Sequence, residues 1–162
     1  MKKFELTTDF ITVLGIKLFR IRALVEFGTV KAGDLGGYVE KEENLDHDGD
    51  AWVSGNARVY GDARVSGNAR VSGNACVSGN ACVSGDADYA CVKGFGTEYR
   101  NTTFFREKDG TVKVCCGCFF GTIPEFRRQV ENTRSGKIAK EYLMIADLME
   151  LHFSKDGESG ND

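Results

Sequence analysis

The sequence predicts a mainly β fold whose centre is a short parallel β-helix made of six-residue repeats. Three regularities carry this prediction. Valine recurs every six residues from Val53 to Val83, alanine stands two residues before each valine, and glycine followed by Asn or Asp ends each unit. The unit is A-x-V-x-G-[N/D], and a fixed internal period is the signature of a solenoid.

Each unit predicts one short strand and one corner. Alanine and valine share the inward side of the strand, and the residue between them points outward. Glycine with Asn or Asp favours a tight corner, because these residues tolerate left-handed backbone angles. Three six-residue sides per coil predict stacking at i and i+18, which places Arg58 beside Cys76. Trp52, Arg70 and Asp88 should then form one outer column, which favours an Arg70–Asp88 ion pair. Such hexapeptide coils are usually left-handed, against the common right-handed crossover rule.

The repeat is short, so its ends have to be closed. From Ala51 to Val92 it makes about two and a third coils, whereas a solenoid needs roughly three stacked units with capped ends. We therefore expect the flanking segments, or neighbouring copies of the chain, to close the coil.

The N-terminal flank predicts a β-hairpin over residues 1–30. A turn is expected at Leu14 and Gly15, and polar and apolar residues alternate after it. Val39 and Leu45 already keep the six-residue step of the repeat. The insertion 46–48, with His47 between two aspartates, indicates a solvated loop, with cation binding as the alternative.

The C-terminal flank predicts a small α+β module. One strand ends at Phe105, the turn 108–110 follows, and a partner strand covers 111–119. Thr122 with Glu125 has the spacing of a helix capping box, and a second helix is expected over 137–153. The chain thus divides into an N-terminal β-hairpin cap (1–38), the hexapeptide β-helix (39–92), the module of one β-hairpin and two α-helices (93–153) and a disordered tail (154–162).

Bulk properties narrow the function classes. The net charge is −3 and the pI is about 5.5, which disfavours a general nucleic-acid binder because such proteins usually carry a basic stripe. The first residues form no apolar signal-peptide core, and no run of about 18 apolar residues predicts a membrane helix. We expect a cytoplasmic protein whose six cysteines are reduced.

The cysteines leave three interpretations open. Cys115, Cys116 and Cys118 are too close together for a typical zinc site, which needs a second pair, and the fourth ligand would have to be Cys91 or His152. Small core residues are the favoured interpretation, and a thiol or redox role is the third. Cys76 and Cys82 stand where sister repeats carry arginine, so they indicate neutral variation at outward positions.

The candidate ligand site is the glycine-rich segment after the repeat. Two glycines let backbone N–H groups turn toward an anion, while basic, hydroxyl and aromatic side chains supply phosphate contacts and a stacking surface. The predicted ligand-binding residues are Lys93, Gly94, Phe95, Gly96, Thr97, Tyr99, Arg100, Thr102 and Thr103. The alternative is a plain glycine turn beside a positive surface. We expect no catalytic residue, no metal and no cofactor.

Two blocks of the chain resemble a class of phage and prophage hexapeptide-repeat proteins. They are LFRIRALVEFGTVKAGDLGGYVEKEENLDHDGDAWVSGNARVYGDARV and TTFFREKDGTVKVCCGCFFGTIPEF. The LGGYVE and CGCF-x-GT-x-x-EF segments are the most specific parts, and KGFGTEYRN stands where that class has a GPIGSR-like loop. Proteins of this class are often labelled putative transferases or polymer-forming cytoskeletal proteins. The resemblance implies a left-handed β-helix, and the transferase label rests on the fold alone, which does not establish a function.

Three functions follow from these features. The first is a non-enzymatic phage accessory protein that blunts host defence by sequestering a nucleotide-like immune signal. The second is a structural or host-protein-binding module that inhibits a defence protein or a nuclease. The third is a hexapeptide acyltransferase, for which His47 and His152 are the candidate bases. The short core also favours a homo-oligomer, with a trimer or a multiple of it as the default for this fold.

Overall fold

The computed structural model describes residues 2–85, 88–97, 100–116 and 119–154, with only the backbone of Arg100. The first three strands are β1 (Phe4–Val13), β2 (Ile16–Ala23) and β3 (Leu35–Val39). Six two-residue strands follow: β4 (Trp52–Val53), β5 (Arg58–Val59), β6 (Arg64–Val65), β7 (Arg70–Val71), β8 (Cys76–Val77) and β9 (Cys82–Val83). The remaining elements are β10 (Tyr89–Phe95), β11 (Arg100–Arg106), β12 (Val112–Cys116), β13 (Phe119–Thr122), α1 (Ile123–Thr133) and α2 (Gly136–His152).

The six short strands form a repeat solenoid with parallel pairing. The strands β5 and β8 pair in parallel, as do β4 with β7 and β6 with β9, always eighteen residues apart. The pairing predicted between Arg58 and Cys76, and between Trp52 and Arg70, is therefore confirmed. Backbone N–H groups of one coil donate to carbonyls of the next, as Arg58 N does to Ala75 O at 2.9 Å.

The alternation within each repeat decides what the solenoid buries. Every repeat valine from Val53 to Val83 is fully buried, and every repeat alanine from Ala51 to Ala81 is at most 2% exposed. Burying one valine contributes about 1.5–3 kcal/mol. The corner glycines from Gly55 to Gly79 have positive φ, and a Cβ added to Gly55 would lie 3.2 Å from the Gly73 carbonyl oxygen of the next coil. The repeat therefore needs glycine both for conformation and for space.

The N-terminal hairpin is confirmed and is continuous with the solenoid. The strands β1 and β2 pair antiparallel, and β3 pairs antiparallel with β2 but parallel with β5. The boundary predicted after residue 38 thus falls inside β3. Two glycines permit this junction, because a Cβ on Gly36 would lie 2.5 Å from the Val53 carbonyl oxygen and one on Gly37 2.6 Å from that of Ala57.

A buried asparagine closes the first, irregular coil. Asn44 is 0% exposed and lies in a short 3-10 helix. Its Oδ1 accepts hydrogen bonds from the backbone N–H groups of Glu40 and Lys41, at 3.1 and 2.9 Å. Its Nδ2 donates to the carbonyls of Gly61 and Ala63, at 3.2 and 2.9 Å. One side chain thus satisfies four backbone groups where a regular coil is missing.

The loop around His47 is part of this cap, and since His47 is half-buried while Asp48 is exposed, the expectation of a solvated loop holds only in part. The ring of His47 stacks on Phe4 with centroids 4.4 Å apart, and its Nδ1 accepts a hydrogen bond from the backbone N–H of Lys3. The Lys3 ammonium is itself buried and donates to the carbonyls of Gly49 and Ala51. Burial lowers the pKa of Lys3, against the attraction of nearby aspartates.

The C-terminal module is larger than the predicted hairpin. It is a four-stranded antiparallel sheet in the order β10-β11-β12-β13, followed by α1 and α2. The difference arises because residues 89–92, which the repeat period assigned to the coil, form the edge strand β10. The capping box of α1 is confirmed, with Glu125 N donating to Thr122 Oγ1 and Thr122 N donating to the Glu125 carboxylate. Residues 155–162 of the predicted tail lie outside the described residues.

The two faces of this sheet have different partners. Phe104 and Val114 belong to the hydrophobic cluster that contains α1 and α2, whereas Phe105 and Cys115 belong to the solenoid core. The sheet therefore covers the C-terminal end of the solenoid. Neither helix in the described part of the chain is long and apolar enough to cross a membrane.

Replacing Asn44 with Ala should destabilise the protein by about 2–3 kcal/mol, because buried backbone groups lose their partners. The measurement is the free energy of unfolding from a urea titration. The control is Asn68→Ala, which truncates an exposed asparagine at a repeat corner and should change stability by less than about 0.5 kcal/mol. Equal effects of the two substitutions would contradict this role of Asn44.

Candidate functional site

The C-terminal end of the solenoid has no following coil, so its backbone amides need other partners. In earlier coils these amides donate to carbonyls of the next coil. At the end, side chains of residues 88–107 replace those carbonyls for three amides. The bonds are Cys76 N to Thr103 Oγ1 at 3.0 Å, Asn80 N to Glu107 Oε2 at 3.2 Å, and Ser84 N to Asp88 Oδ2 at 3.0 Å.

Two backbone amides of the last coil, on the side that contains β7, have no such replacement among the described residues. The backbone N–H groups of Ser72 and Asn74 have no hydrogen-bond partner within the described part of the chain. One coil earlier, the equivalent amides of Ser54 and Asn56 donate to the carbonyls of Val71 and Gly73, at 2.8 and 3.0 Å. Both Ser72 and Asn74 are exposed. Within the described residues, the corner 72–74 thus presents two amides that the cap does not satisfy.

These amides lie in a groove of about 540 Å³, which we call the end groove. One wall consists of Arg70 of β7 and the corner 72–74. The other consists of residues 89–91 of the edge strand β10, together with Asn101 of β11. The hydroxyl of Tyr89 donates a short hydrogen bond to the Arg70 carbonyl and so joins the two walls.

Several lining residues of the end groove carry hydrogen-bond donors. The Arg70 guanidinium donates to Thr29 Oγ1 from both terminal nitrogens, which holds it against the N-terminal cap. Asn101 is held on the other wall, where its Oδ1 accepts a hydrogen bond from Thr103 Oγ1 at 3.2 Å. Arg70, the carboxamides of Asn74 and Asn101, and two amides that have no partner among the described residues make the groove suited to an anionic ligand.

The acid that the repeat period places beside Arg70 is paired with another arginine. Asp88 does not pair with Arg70 as the repeat period predicts. Its carboxylate lies 3.2 Å from Arg106 Nε and also accepts hydrogen bonds from the corner at Ser84. The reason is that the chain leaves the solenoid before Asp88. Burial disfavours the charged form of this carboxyl, but the hydrogen bonds from Ser84 and Arg106 outweigh burial and lower its pKa.

The structure places some residues of the predicted glycine-rich site inside the protein and others on its surface. Phe95 is half-buried, and its carbonyl accepts a hydrogen bond from Tyr142 Oη at 3.1 Å. A Cβ added to Gly96 would lie 2.6 Å from the hydroxyl oxygen of Tyr142. Gly96 therefore makes room for a packed tyrosine. Lys93, Gly94 and Thr97 are exposed.

The two predicted threonines do not belong to such a site. Thr102 is buried and donates to Cys116 Sγ at 3.1 Å. Thr103 is buried where the sheet contacts the solenoid. Their position on β11 turns them into the protein. Tyr99 lies outside the described residues, as does the side chain of Arg100. Lys93 does not line the end groove, but the bulge in β10 places Lys93 and Gly94 across from Asn101, which does.

Sequence reasoning missed the groove residues Ser72 and Asn74. Ser72 and Asn74 have the same residue types at the same repeat positions as Ser54 and Asn56, so the repeat pattern does not distinguish them. A signal was nevertheless present, since the final eighteen residues of a repeat have no following coil to bond with. The amides of that last coil are the ones that a cap or a ligand has to satisfy.

The histidines and cysteines do not assemble a metal site in the part of the chain that is described. His47 is packed in the N-terminal cap, His152 is exposed at the end of α2, and neither lines the end groove. Cys118 lies outside the described residues. The interpretation of Cys76 as neutral outward variation is wrong, because its Sγ lies 2.9 Å from Cys115 Sγ.

A comparison with family models finds the YdcK beta solenoid repeat, which matches residues 51–67 and 63–79. The matched segments cover the regular part of the solenoid, so the chain is similar to a repeat β-solenoid protein there. No curated protein matches the chain.

Replacing Asp88 with Asn should cost about 1–2 kcal/mol near neutral pH, because a charged acceptor of several hydrogen bonds is lost. Since folding lowers the pKa of Asp88, its contribution is present above the unfolded value of about 3.9 and is lost as pH falls through the folded value. The difference between wild type and Asp88→Asn in urea titrations should therefore shrink below about pH 4.

Asp62→Asn is the matched control, because Asp62 lies at an exposed corner and its carboxylate pairs, among the described residues, with Lys41 at the surface. This substitution should have little effect at any pH. A difference between wild type and Asp88→Asn that stays constant from pH 7 to pH 2 would contradict the account.

Proposed function

We propose that the protein is a non-enzymatic binding protein that captures a nucleotide-like anion in the end groove. The observation that carries the proposal is that Arg70 lines the same groove as the backbone amides of Ser72 and Asn74, which have no hydrogen-bond partner within the described residues. The volume of about 540 Å³ lies within the usual range for small-molecule sites, roughly 300–1,000 Å³.

The chemistry of the lining favours a phosphate-bearing ligand. A guanidinium binds phosphate oxygens in pairs, and backbone N–H groups at a corner complete the contacts. The carboxamides of Asn74 and Asn101 can donate and accept, which suits the polar edge of a base or a ribose. Lys93 stands next to Asn101 and adds positive charge beside the groove.

Binding fits the lining better than catalysis does. The thiol of the groove is Cys91, and burial raises its pKa, so little nucleophilic thiolate forms at neutral pH. The histidines, which an acyltransferase would use as a base, are placed elsewhere: His47 in the N-terminal cap and His152 at the end of α2. The acyltransferase is accordingly the weakest of the three candidate functions.

The biological setting comes from the resemblance to phage and prophage hexapeptide-repeat proteins. On this proposal the solenoid is a left-handed hexapeptide β-helix, and the protein acts in the host cytoplasm. There it would lower the concentration of a nucleotide immune signal by binding it. The match to a solenoid repeat family supports the repeat fold on which this setting rests.

The test is a thermal-shift screen, followed by calorimetry, against cyclic di- and trinucleotides, ADP-ribose derivatives and coenzyme A. A ligand at about 100 times its Kd adds roughly 2.7 kcal/mol of stability, or about 5–10 °C in Tm. Arg70→Gln should weaken binding at least about tenfold. Arg64→Gln is the matched control, because Arg64 has the same repeat position on another side of the solenoid.

Thr29→Val separates binding from packing, since it removes the hydroxyl that holds Arg70 and keeps the guanidinium. It should reduce affinity less than Arg70→Gln does. A coenzyme A hit with turnover would overturn the non-enzymatic proposal. If no compound of the panel shifts the Tm, the result would contradict nucleotide capture and favour the structural or host-protein-binding module instead.

We also propose that the protein is a homo-oligomer that uses the outer face of α2. Met144, Leu148 and Leu151 lie at helical spacing on this face and are 68%, 55% and 67% exposed. Lys140 is exposed one turn before Met144, and Asp147 beside the stripe pairs with Arg127 of the same chain at 2.7 Å. A second copy packed on this face would therefore cover an apolar surface.

Leu148→Glu should reduce the oligomer to a monomer in light scattering at micromolar concentration, because a buried charge would have no partner. Leu14→Glu is the control, since Leu14 is exposed in the β1–β2 turn at the opposite end of the chain. The molar mass from the same light-scattering measurement also shows whether the wild type is a trimer. A monomeric wild type, or an oligomer that Leu148→Glu leaves intact, would contradict the proposal.

A further inference from the structure

A pair of thiols joins the last coil of the solenoid to the sheet that covers it. Cys115 on β12 donates a hydrogen bond to Cys76 on β8, with 2.9 Å between the sulfur atoms. This separation is only about 0.9 Å longer than a disulfide bond of about 2.05 Å. The two residues are 39 positions apart in the sequence, so folding alone brings them together.

Both cysteines are held in place by regular structure. Cys76 continues the ladder of β5, and its backbone N–H donates to Thr103 Oγ1 at 3.0 Å. Thr103 lies directly opposite Cys115 in the pairing of β11 with β12. The short distance between the thiols is therefore a consequence of how the sheet docks on the coil.

From this geometry we propose that Cys76 and Cys115 are a redox-active dithiol, which hydrogen peroxide converts into a disulfide between the solenoid and its cap. This modification site is independent of ligand capture in the end groove. It needs only the two thiols and a peroxide.

The surroundings assign the two thiols different roles. The hydrogen bond from Cys115 lowers the pKa of Cys76 to about 7, against burial, and Tyr60 and Arg58 act in the same direction. The same hydrogen bond, together with burial, raises the pKa of Cys115. Cys76 is therefore the thiolate that attacks, and Cys115 is the thiol that resolves the intermediate. Cys76 is also the more exposed of the two residues.

The reaction balances with peroxide as the oxidant. The Cys76 thiolate attacks one peroxide oxygen, the O–O bond breaks, and Cys76 becomes a sulfenic acid while the second oxygen leaves as hydroxide. The proton of Cys115 neutralises that hydroxide to water. The Cys115 sulfur then attacks the Cys76 sulfur, the S–O bond breaks, and a second water forms with a solvent proton. Two thiols lose two electrons in total, and the peroxide gains them.

The other described cysteines are placed differently. Cys91 shares a contact with Thr103 Oγ1, and burial raises the pKa of its thiol. The thiol of Cys116 accepts a hydrogen bond from Thr102 on the opposite face of the sheet. Cys82 is exposed on the β6–β9 side of the solenoid. Oxidation at low peroxide should thus be selective for Cys76.

The experiment treats the reduced full-length protein with hydrogen peroxide and then alkylates the remaining thiols. Peptide mapping without reduction should show a cross-link between Cys76 and Cys115, with the other thiols alkylated. The cross-link closes a loop of about 40 residues, so the Tm should rise by roughly 5–10 °C and fall back when dithiothreitol is added.

Two variants separate the steps. Cys115→Ser should trap the sulfenic acid on Cys76, which a dimedone probe labels, and Cys82→Ser should still form the cross-link as the matched control. Peptide mapping of the wild type decides the question even if a variant fails to fold. A Cys76 that stays alkylatable, or thiols that are all oxidised at one rate without the cross-link, would overturn the proposal.

Discussion

The whole structure depends on satisfying the backbone at the two ends of a very short solenoid. A parallel coil passes each N–H to the carbonyl of its neighbour, so every end exposes a row of groups without partners. With so few coils, these ends are a large share of the molecule. At the first end, Asn44 and the β1–β3 sheet supply the missing partners. At the other, the four-stranded sheet does so through Thr103 and Glu107.

The candidate site is the place where this closure is incomplete. The sheet covers two sides of the last coil and leaves the corner at Ser72 and Asn74 facing a groove. Stability and function are therefore linked through the same chemistry. A ligand that accepts hydrogen bonds there would complete the cap, and so it would stabilise the fold as it binds. The adjoining thiol pair acts at the same junction, because a bond between Cys76 and Cys115 would fasten the cap to the coil.

Features that depend on local spacing could be predicted from the sequence. The six-residue period predicted which residues pair across coils, and the Thr122–Glu125 spacing predicted the start of α1. Features that depend on docking could not. No periodicity reveals that Thr103 caps Cys76 or that Gly96 makes room for Tyr142, since these partners are distant in the sequence. The glycine-rich segment was accordingly predicted as an anion site, whereas at Gly96 the glycine serves packing.

The most direct measurement is amide hydrogen exchange by NMR at Ser72 and Asn74, with Ser54 and Asn56 as internal references one coil earlier. In the free protein, the account predicts fast exchange at Ser72 and Asn74 and slow exchange at the two references, whose amides are bonded to the next coil. Adding the nucleotide that gives the largest thermal shift should slow exchange at Ser72 and Asn74 alone. Equal protection of all four amides in the free protein, or no change at Ser72 and Asn74 with any nucleotide, would contradict the account.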